Sequence, residues 1–297
     1  MTGTNPIGVL AVDKPVGPTS HDVVAVARRA LKTKKVGHTG TLDPFASGLM
    51  LLCVGPATRL SPYLTHLDKR YRAEAVLGVA TDTLDCEGAV VREDPAGEGV
   101  ATARIEEALA DLRGTIEQIP PVYSAKKIRG EPAHRRARRG EAVELSPVEV
   151  HVHRLDLVER DGARLVLDVE CSSGTYIRAL ARDLGEALGV GAHLTALRRL
   201  SVGAFQVEDA STVDAMSSAS SAAWSTPAEG LVRAGVPSFE VGSGDERRIG
   251  QGREIAAPAD LGPGEVEPVA AVLGGRLLAV GRVADGVFRP RRVFVGP

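Results

Sequence analysis

Aromatic side chains make up only 3% of this 297-residue chain, with four tyrosines, five phenylalanines and one tryptophan, so each that falls inside a motif carries weight. Cysteine is scarcer still. Cys53, Cys86 and Cys171 are odd in number, far apart and without a C-x-x-C pair, which argues against a zinc or dithiol centre. Two of them fall in apolar strand-like runs, as small core residues do. No run of eighteen apolar residues occurs, and the N-terminus has no basic stretch followed by an apolar one. Neither a helical membrane span nor a signal peptide is expected, and the expected location is the cytoplasm. G-x-G-x-x-G after a strand, G-K-[ST] and clustered metal ligands are also missing, so no nucleotide, nicotinamide or metal is expected. His151 and His153 share a strand face but lack an evident third ligand and read as ordinary exposed side chains.

An excess of basic charge is lacking as well: the formal net charge is −2, which by itself argues mildly against a nucleic-acid partner. The distribution says more than the sum. Lys126, Lys127, Arg129, Arg135, Arg136, Arg138 and Arg139 crowd a stretch with the single acid Glu131, and Arg28, Arg29, Lys32, Lys34 and Lys35 form a second cluster. Such runs are either solvated faces or phosphate-facing surfaces, and two of them flanking one loop favour the second reading.

With 43% apolar and 25% charged residues the chain has ordinary globular composition, long enough for about two domains. Residues 8–12 read as a strand, and Ser20 is placed to cap a helix whose apolar face is Val23, Val24, Ala27, Ala30 and Leu31. Residues 48–54 form a continuous apolar run of strand length, buried on both faces, and 71–78 is another strand. Helical spacing marks 102–112, with Thr102 as its cap, and a further helix is expected over 175–188. The alternations at Val148, Val150 and Val152 and at Leu165, Leu167 and Val169 predict an antiparallel pair. Between these elements, residues 116–146 hold Pro120, Pro121, Gly130, Pro132 and Gly140 among the basic residues and read as an extended RNA-clamping arm. Residues 213–230, rich in Ser and Ala, read as a linker or loose helical connection, and 231–297 as a small β-rich module.

The segment Gly37-His38-Thr39-Gly40-Thr41-Leu42-Asp43-Pro44-Phe45-Ala46-Ser47-Gly48 is the most informative. Its glycines permit tight turns and Pro44 restricts Asp43, so the carboxylate sits in a fixed loop. Alone, an Asp before Pro is a turn residue or a helix cap. In company with Asp13-Lys14-Pro15-Val16-Gly17-Pro18-Thr19-Ser20, Lys69-Arg70-Tyr71-Arg72, Cys171-Ser172-Ser173-Gly174-Thr175-Tyr176-Ile177-Arg178 and Gly191-Ala192-His193-Leu194-Thr195-Ala196-Leu197-Arg198-Arg199-Leu200, it resembles the TruB family of tRNA pseudouridine-55 synthases. The five blocks stand in the family's order, and the specificity lies in the set.

The resemblance implies an α+β catalytic domain of pseudouridine synthase type over residues 1–212, with a mixed, mostly antiparallel sheet, and a PUA-like RNA-binding domain at the C-terminus. It implies isomerisation of the TΨC-loop uridine of tRNA, with Asp43 as nucleophile, Arg178 keeping that carboxylate charged, and Tyr71 stacking on the uridine and relaying a proton. His38, Tyr176, Leu197 and Lys14 are implied in substrate binding, and the basic residues Lys126, Lys127 and Arg129 in gripping RNA. A redox-neutral isomerisation requires no cofactor. The implied partner is the T-arm and elbow of tRNA, without an obligatory protein partner, and a monomer is expected. Two rival readings remain: a guide-RNA-dependent pseudouridine synthase subunit, which shares these blocks, and a non-catalytic tRNA-binding or folding protein, which has no need of the carboxylate.

Overall fold

The computed structural model describes residues 7–124, 127–128, 131–132, 139, 145–218, 223–242, 244–262 and 264–294. Its larger sheet is built from β1 (Gly8–Lys14), β2 (Ser47–Val54), β3 (Lys69–Leu77), β4 (Gly114–Gln118), β5 (Val148–Asp161), β6 (Arg164–Cys171) and β7 (Ala192–Val202). The spatial order is β1-β2-β7-β3-β6-β5-β4, with the two-residue strand Ser211–Thr212 outside β1. All neighbours run antiparallel except β2 with β7 and β1 with Ser211–Thr212. The mixed α+β class expected from the blocks is what this sheet and its helices form.

Both faces of β1 and β2 are covered, which is why their sequences are continuously apolar rather than alternating. Leu10, Val12, Met50, Leu52 and Val54 point into one core together with residues from α1 (Ser20–Ala30), α2 (Thr102–Asp111) and α3 (Ile177–Leu188). Val9, Ala11, Leu49, Leu51 and Cys53 point into a second core, completed by Leu231 of α4 (Pro227–Arg233) and by Ala270, Val272, Leu277 and Val280. Those last residues belong to a five-stranded C-terminal sheet of Ser238–Glu240, Val266–Leu273, Arg276–Ala284, Val287–Val293 and Ile255–Ala256. Two consecutive glycines with positive φ, Gly274 and Gly275, turn its central hairpin.

Four local expectations are corrected. The cap of α1 is Thr19, which forms a reciprocal capping box with Asp22 and leaves the Ser20 hydroxyl for the neighbouring loop. The cap of α2 is Ala101, and the Thr102 hydroxyl instead accepts a hydrogen bond from Arg160 Nη1 at 2.7 Å. Residues 116–118 belong to β4, not to the arm, because they pair with β5. The stretch read as a linker is packed where it is described: Met216 and Ala223 are buried in the main core, Trp224 and Ser225 pair with β1, and 227–233 is helical. Its composition reads as loose because small side chains also suit close packing against the β1 edge. No described helix is long and apolar enough to cross a membrane.

Candidate active site

Three separate attachments hold the residues on either side of Asp43. The Ser20 hydroxyl pairs with both backbone groups of Leu42, Gly17 N donates to Pro44 O at 2.8 Å, and Lys14 Nζ reaches Pro44 O at 3.4 Å. Lys14 is fully buried and also donates to Pro15 O and Pro18 O, both at 2.9 Å. Lys14, grouped by the resemblance with the substrate-binding residues, thus supports the pocket loop from beneath. Its ammonium is spent on carbonyls beneath the loop, and burial pushes its pKa down to about 8 although the negative charge of Asp43 pulls the other way.

Asp43 opens onto a cleft of about 550 Å³ whose lining includes Tyr71, Tyr176, Arg178, Leu197 and Arg199. Its Oδ2 lies 3.0 Å from Arg178 Nε, with the carboxylate side chain 35% exposed and the arginine side chain 6%. Desolvation raises the Asp43 pKa, Arg178 opposes that, the Asp85 carboxylate adds to it and Lys14 opposes it. Every nitrogen of the guanidinium is occupied. Nη1 donates to Thr83 O at 2.8 Å and Asp85 Oδ2 at 2.9 Å, and Nη2 to Tyr123 O at 2.8 Å. Five N–H donors in a rigid plane allow a single side chain to tie these segments together.

Tyr71 alternates inward on β3, opposite Arg199 of β7. Burial raises its pKa, and the positive charge of Arg199 lowers it in part. The same arginine donates from Nε to Leu49 O at 2.6 Å and from Nη2 to Gly40 O at 3.2 Å. Arg199 therefore ties Tyr71, β2 and the catalytic loop together. Leu197 supplies a buried apolar wall, and Tyr176 stands at the start of α3. His38 flanks the loop: its Nδ1 accepts from Gly40 N at 3.3 Å, and its ring meets His21 edge-on at 5.7 Å. Burial lowers the His38 pKa, with His21 and Arg199 adding to the effect.

The sequence reading brought Asp43, Tyr71, Tyr176, Arg178 and Leu197 to one cleft, and these are together. Lys126 and Arg129 lie outside the described residues, as do Arg135, Arg136 and Arg138; Lys127 falls on the short strand Lys127–Ile128, paired with Glu131–Pro132. Asp85, Arg199 and Lys69 were not singled out. Asp85 sits in a Thr-Leu-Asp-Cys stretch with no pattern of its own. Lys69, which donates to Thr65 O and Leu67 O beside the cleft, and Arg199 sit in strands, where buried cations are uncommon. The available signal was their position inside two recognised blocks. Among the described residues no group of three or more His, Cys, Asp or Glu is arranged to hold a metal, and His151 and His153 instead meet Thr115 and Asp68.

A family model described as TruB family pseudouridylate synthase (N terminal domain) matches residues 28–177, and one described as tRNA pseudouridylate synthase B C-terminal domain matches 178–240. The chain belongs to the TruB family. The tRNA pseudouridine synthase B of Thermobifida fusca (strain YX) is 44% identical over 298 residues, covering 97% of this chain and 99% of that protein. That of Arthrobacter sp. (strain FB24) is 45% identical, covering 97% and 96%. Among solved structures, a chain of the Cbf5-Nop10-Gar1 complex superposes with a TM-score of 0.73 at 26% identity, covering 98% of this chain and 85% of that one. The second family match begins within the main sheet and its helices, ahead of the composition change near residue 212.

Proposed function

We propose that this chain is a stand-alone tRNA pseudouridine synthase that isomerises the TΨC-loop uridine. The observation that carries this reading is the Asp43 carboxylate, a third exposed to an open cleft and 3.0 Å from the buried Arg178 guanidinium. In the reaction the bond from ribose C1′ to uracil N1 breaks, C1′ bonds to C5, C5 gives up its proton and N1 gains one. No atom is added, so a nucleophile, a proton acceptor and a pocket for an unstacked base suffice. Asp43 is the nucleophile, attacking sugar or base. Arg178 holds it ionised against desolvation, Tyr71 stacks on the base and relays the proton, and Tyr176 and Leu197 complete the pocket. His38 supports the flipped RNA, and the basic residues of the arm, Lys126, Lys127 and Arg129 among them, face phosphates of the T-arm and elbow.

The test is tritium release from an unmodified tRNA transcript labelled at C5 of uridine, with purified protein and no guide RNA, cofactor or partner. Release near one equivalent per tRNA is expected, and it should vanish in Asp43→Asn and in a transcript lacking the T-loop uridine. Asp43→Asn should bind tRNA within a few fold of wild type. Clear tRNA binding without release would transfer the weight to a guide-dependent or non-catalytic protein.

A further inference from the structure

The helix that carries Arg178 begins without a side-chain cap of its own: Tyr176 occupies the cap position and its side chain bonds none of the exposed helix N–H groups. A residue far away in sequence attends to it. Gln118, the last residue of β4, is fully buried and clasps both backbone groups of Tyr176, accepting from its N–H at 2.8 Å and donating to its carbonyl at 3.2 Å. After Gln118 the chain passes through Pro120 and Pro121, which have no N–H to offer a sheet or helix. This strap, residues 119–124, is held to the helix through its carbonyls. Arg178 Nη2 donates to Tyr123 O at 2.8 Å, and Arg182, one turn further along the helix, donates from Nη2 to Ile119 O at 3.0 Å. Ser124, at the end of the strap, lines the cleft beside Tyr176 and Arg178.

We propose that Gln118 is a positioning residue for the isomerisation, fixing with Arg182 the helix start and the proline strap so that the Arg178 guanidinium is presented to Asp43. The inference rests on the functional reading above. A strap serving stability alone has no need to terminate on the catalytic guanidinium. Of the three fastenings made by Gln118 and the strap, two, at Tyr176 and Arg178, are to residues lining the cleft, and the third lies one turn away. A displacement of about 1 Å in a catalytic group costs on the order of a hundredfold in rate, so this clasp acts on geometry with little direct contact with substrate.

Gln118→Leu stays close to the buried volume while leaving the Tyr176 N–H without its partner and its carbonyl to the helix N–H groups of Ala179 and Leu180 alone. Arg182→Gln removes the outer fastening at a partly exposed site. Both are assayed with wild-type protein by single-turnover conversion of the tRNA transcript across pH, by tRNA binding and by thermal unfolding. Arg178, Asp85 and Lys14 are the charged groups that set the Asp43 ionisation. When Arg178 is misaligned, its hold on the carboxylate weakens and the acid limb of the rate profile moves to higher pH. Gln118→Leu is expected to lose ten- to hundredfold in rate with the acid limb displaced upward and tRNA affinity within threefold. Arg182→Gln is expected to lose about three- to tenfold in the same direction.

Unchanged rates and acid limbs in both variants would overturn the inference while leaving the functional reading intact. A rate loss matched by an equal loss of affinity, with the acid limb unmoved, would overturn it too. If Gln118→Leu does not fold, an unaltered Arg182→Gln profile decides against it. Absence of conversion by the wild-type chain would bring down the functional reading and this inference together.

Discussion

The hydroxyl of Ser20 donates to Leu42 O at 2.9 Å and accepts from Leu42 N at 2.8 Å, so the first residue of a helix holds both backbone groups of the residue preceding Asp43. The capping duty sits on Thr19, which frees Ser20 for this contact. Secondary structure and site are joined here through one oxygen.

Ser20→Ala leaves a buried N–H and a buried carbonyl of Leu42 without that partner. The expected cost is about 1–3 kcal/mol of stability, measured by urea unfolding. The loop before Asp43 loosens, so the single-turnover rate should fall while tRNA affinity holds. Full activity in this variant would show that the remaining attachments of the loop, Arg199 at Gly40 among them, suffice.

Asp85→Asn should reduce the rate on the order of ten- to hundredfold, since the Arg178 guanidinium loses one of its two carboxylates. Its effect on pH has a definite sign. The Asp85 charge raises the Asp43 pKa, so removing it should move the acid limb of the rate profile to lower pH. An upward move would mean that Asp85 acts mainly by keeping Arg178 in place, with its direct charge on Asp43 the smaller effect.

Much of this arrangement was legible because the residues that carry it lie in local patterns. The apolar run of β2 announced a doubly covered strand, and Gly-x-Thr-Gly-Thr-Leu-Asp-Pro announced a constrained carboxylate. What could not be read were contacts between segments distant in sequence. Asp85 meets Arg178 across 93 positions and Arg199 meets Leu49 across 150, and neither pairing leaves a local periodicity. The burial of Lys14 was not legible either: Pro15 O and Pro18 O are local partners, but its third carbonyl, Pro44 O, lies 30 positions away. In the Ser- and Ala-rich stretch after residue 212, read as a linker or loose helical connection, the pairing with β1 was not legible, because composition does not tell a flexible connection from small residues packed against a sheet edge.

Gly48 is required where β2 meets β7. Its φ is +106°, and a Cβ there would lie 2.3 Å from Arg199 O and 2.6 Å from Arg199 N. Gly48→Ala is therefore expected to cost about 3 kcal/mol or more, combining strain and a backbone clash, and to displace Arg199 from Tyr71. Gly37, in the same glycine-rich block, has nothing within 4 Å of a Cβ and no positive φ. Gly37→Ala should be within about 1 kcal/mol of wild type. Comparable melting temperatures for the two variants would contradict this account of the block.

The two buried lysines predict an unusual dependence of stability on pH. Burial lowers Lys14 and Lys69 from 10.5 to about 8. Between these values the unfolded chain holds the proton and the folded chain does not, so unfolding takes up protons and stability rises with pH. Below pH 8 both states are protonated and this contribution is flat, at its least favourable. Each lysine adds a slope of at most about 1.4 kcal/mol per pH unit across the window. Unfolding free energies from urea titrations at pH 7.5, 8.5 and 9.5 should increase in wild type and increase less in Lys14→Met. Because only slopes are compared, the contacts that Lys14→Met also loses do not confound the test. A slope identical in the two proteins would mean that Lys14 keeps its proton in the folded state, its three carbonyls having offset the cost of burial.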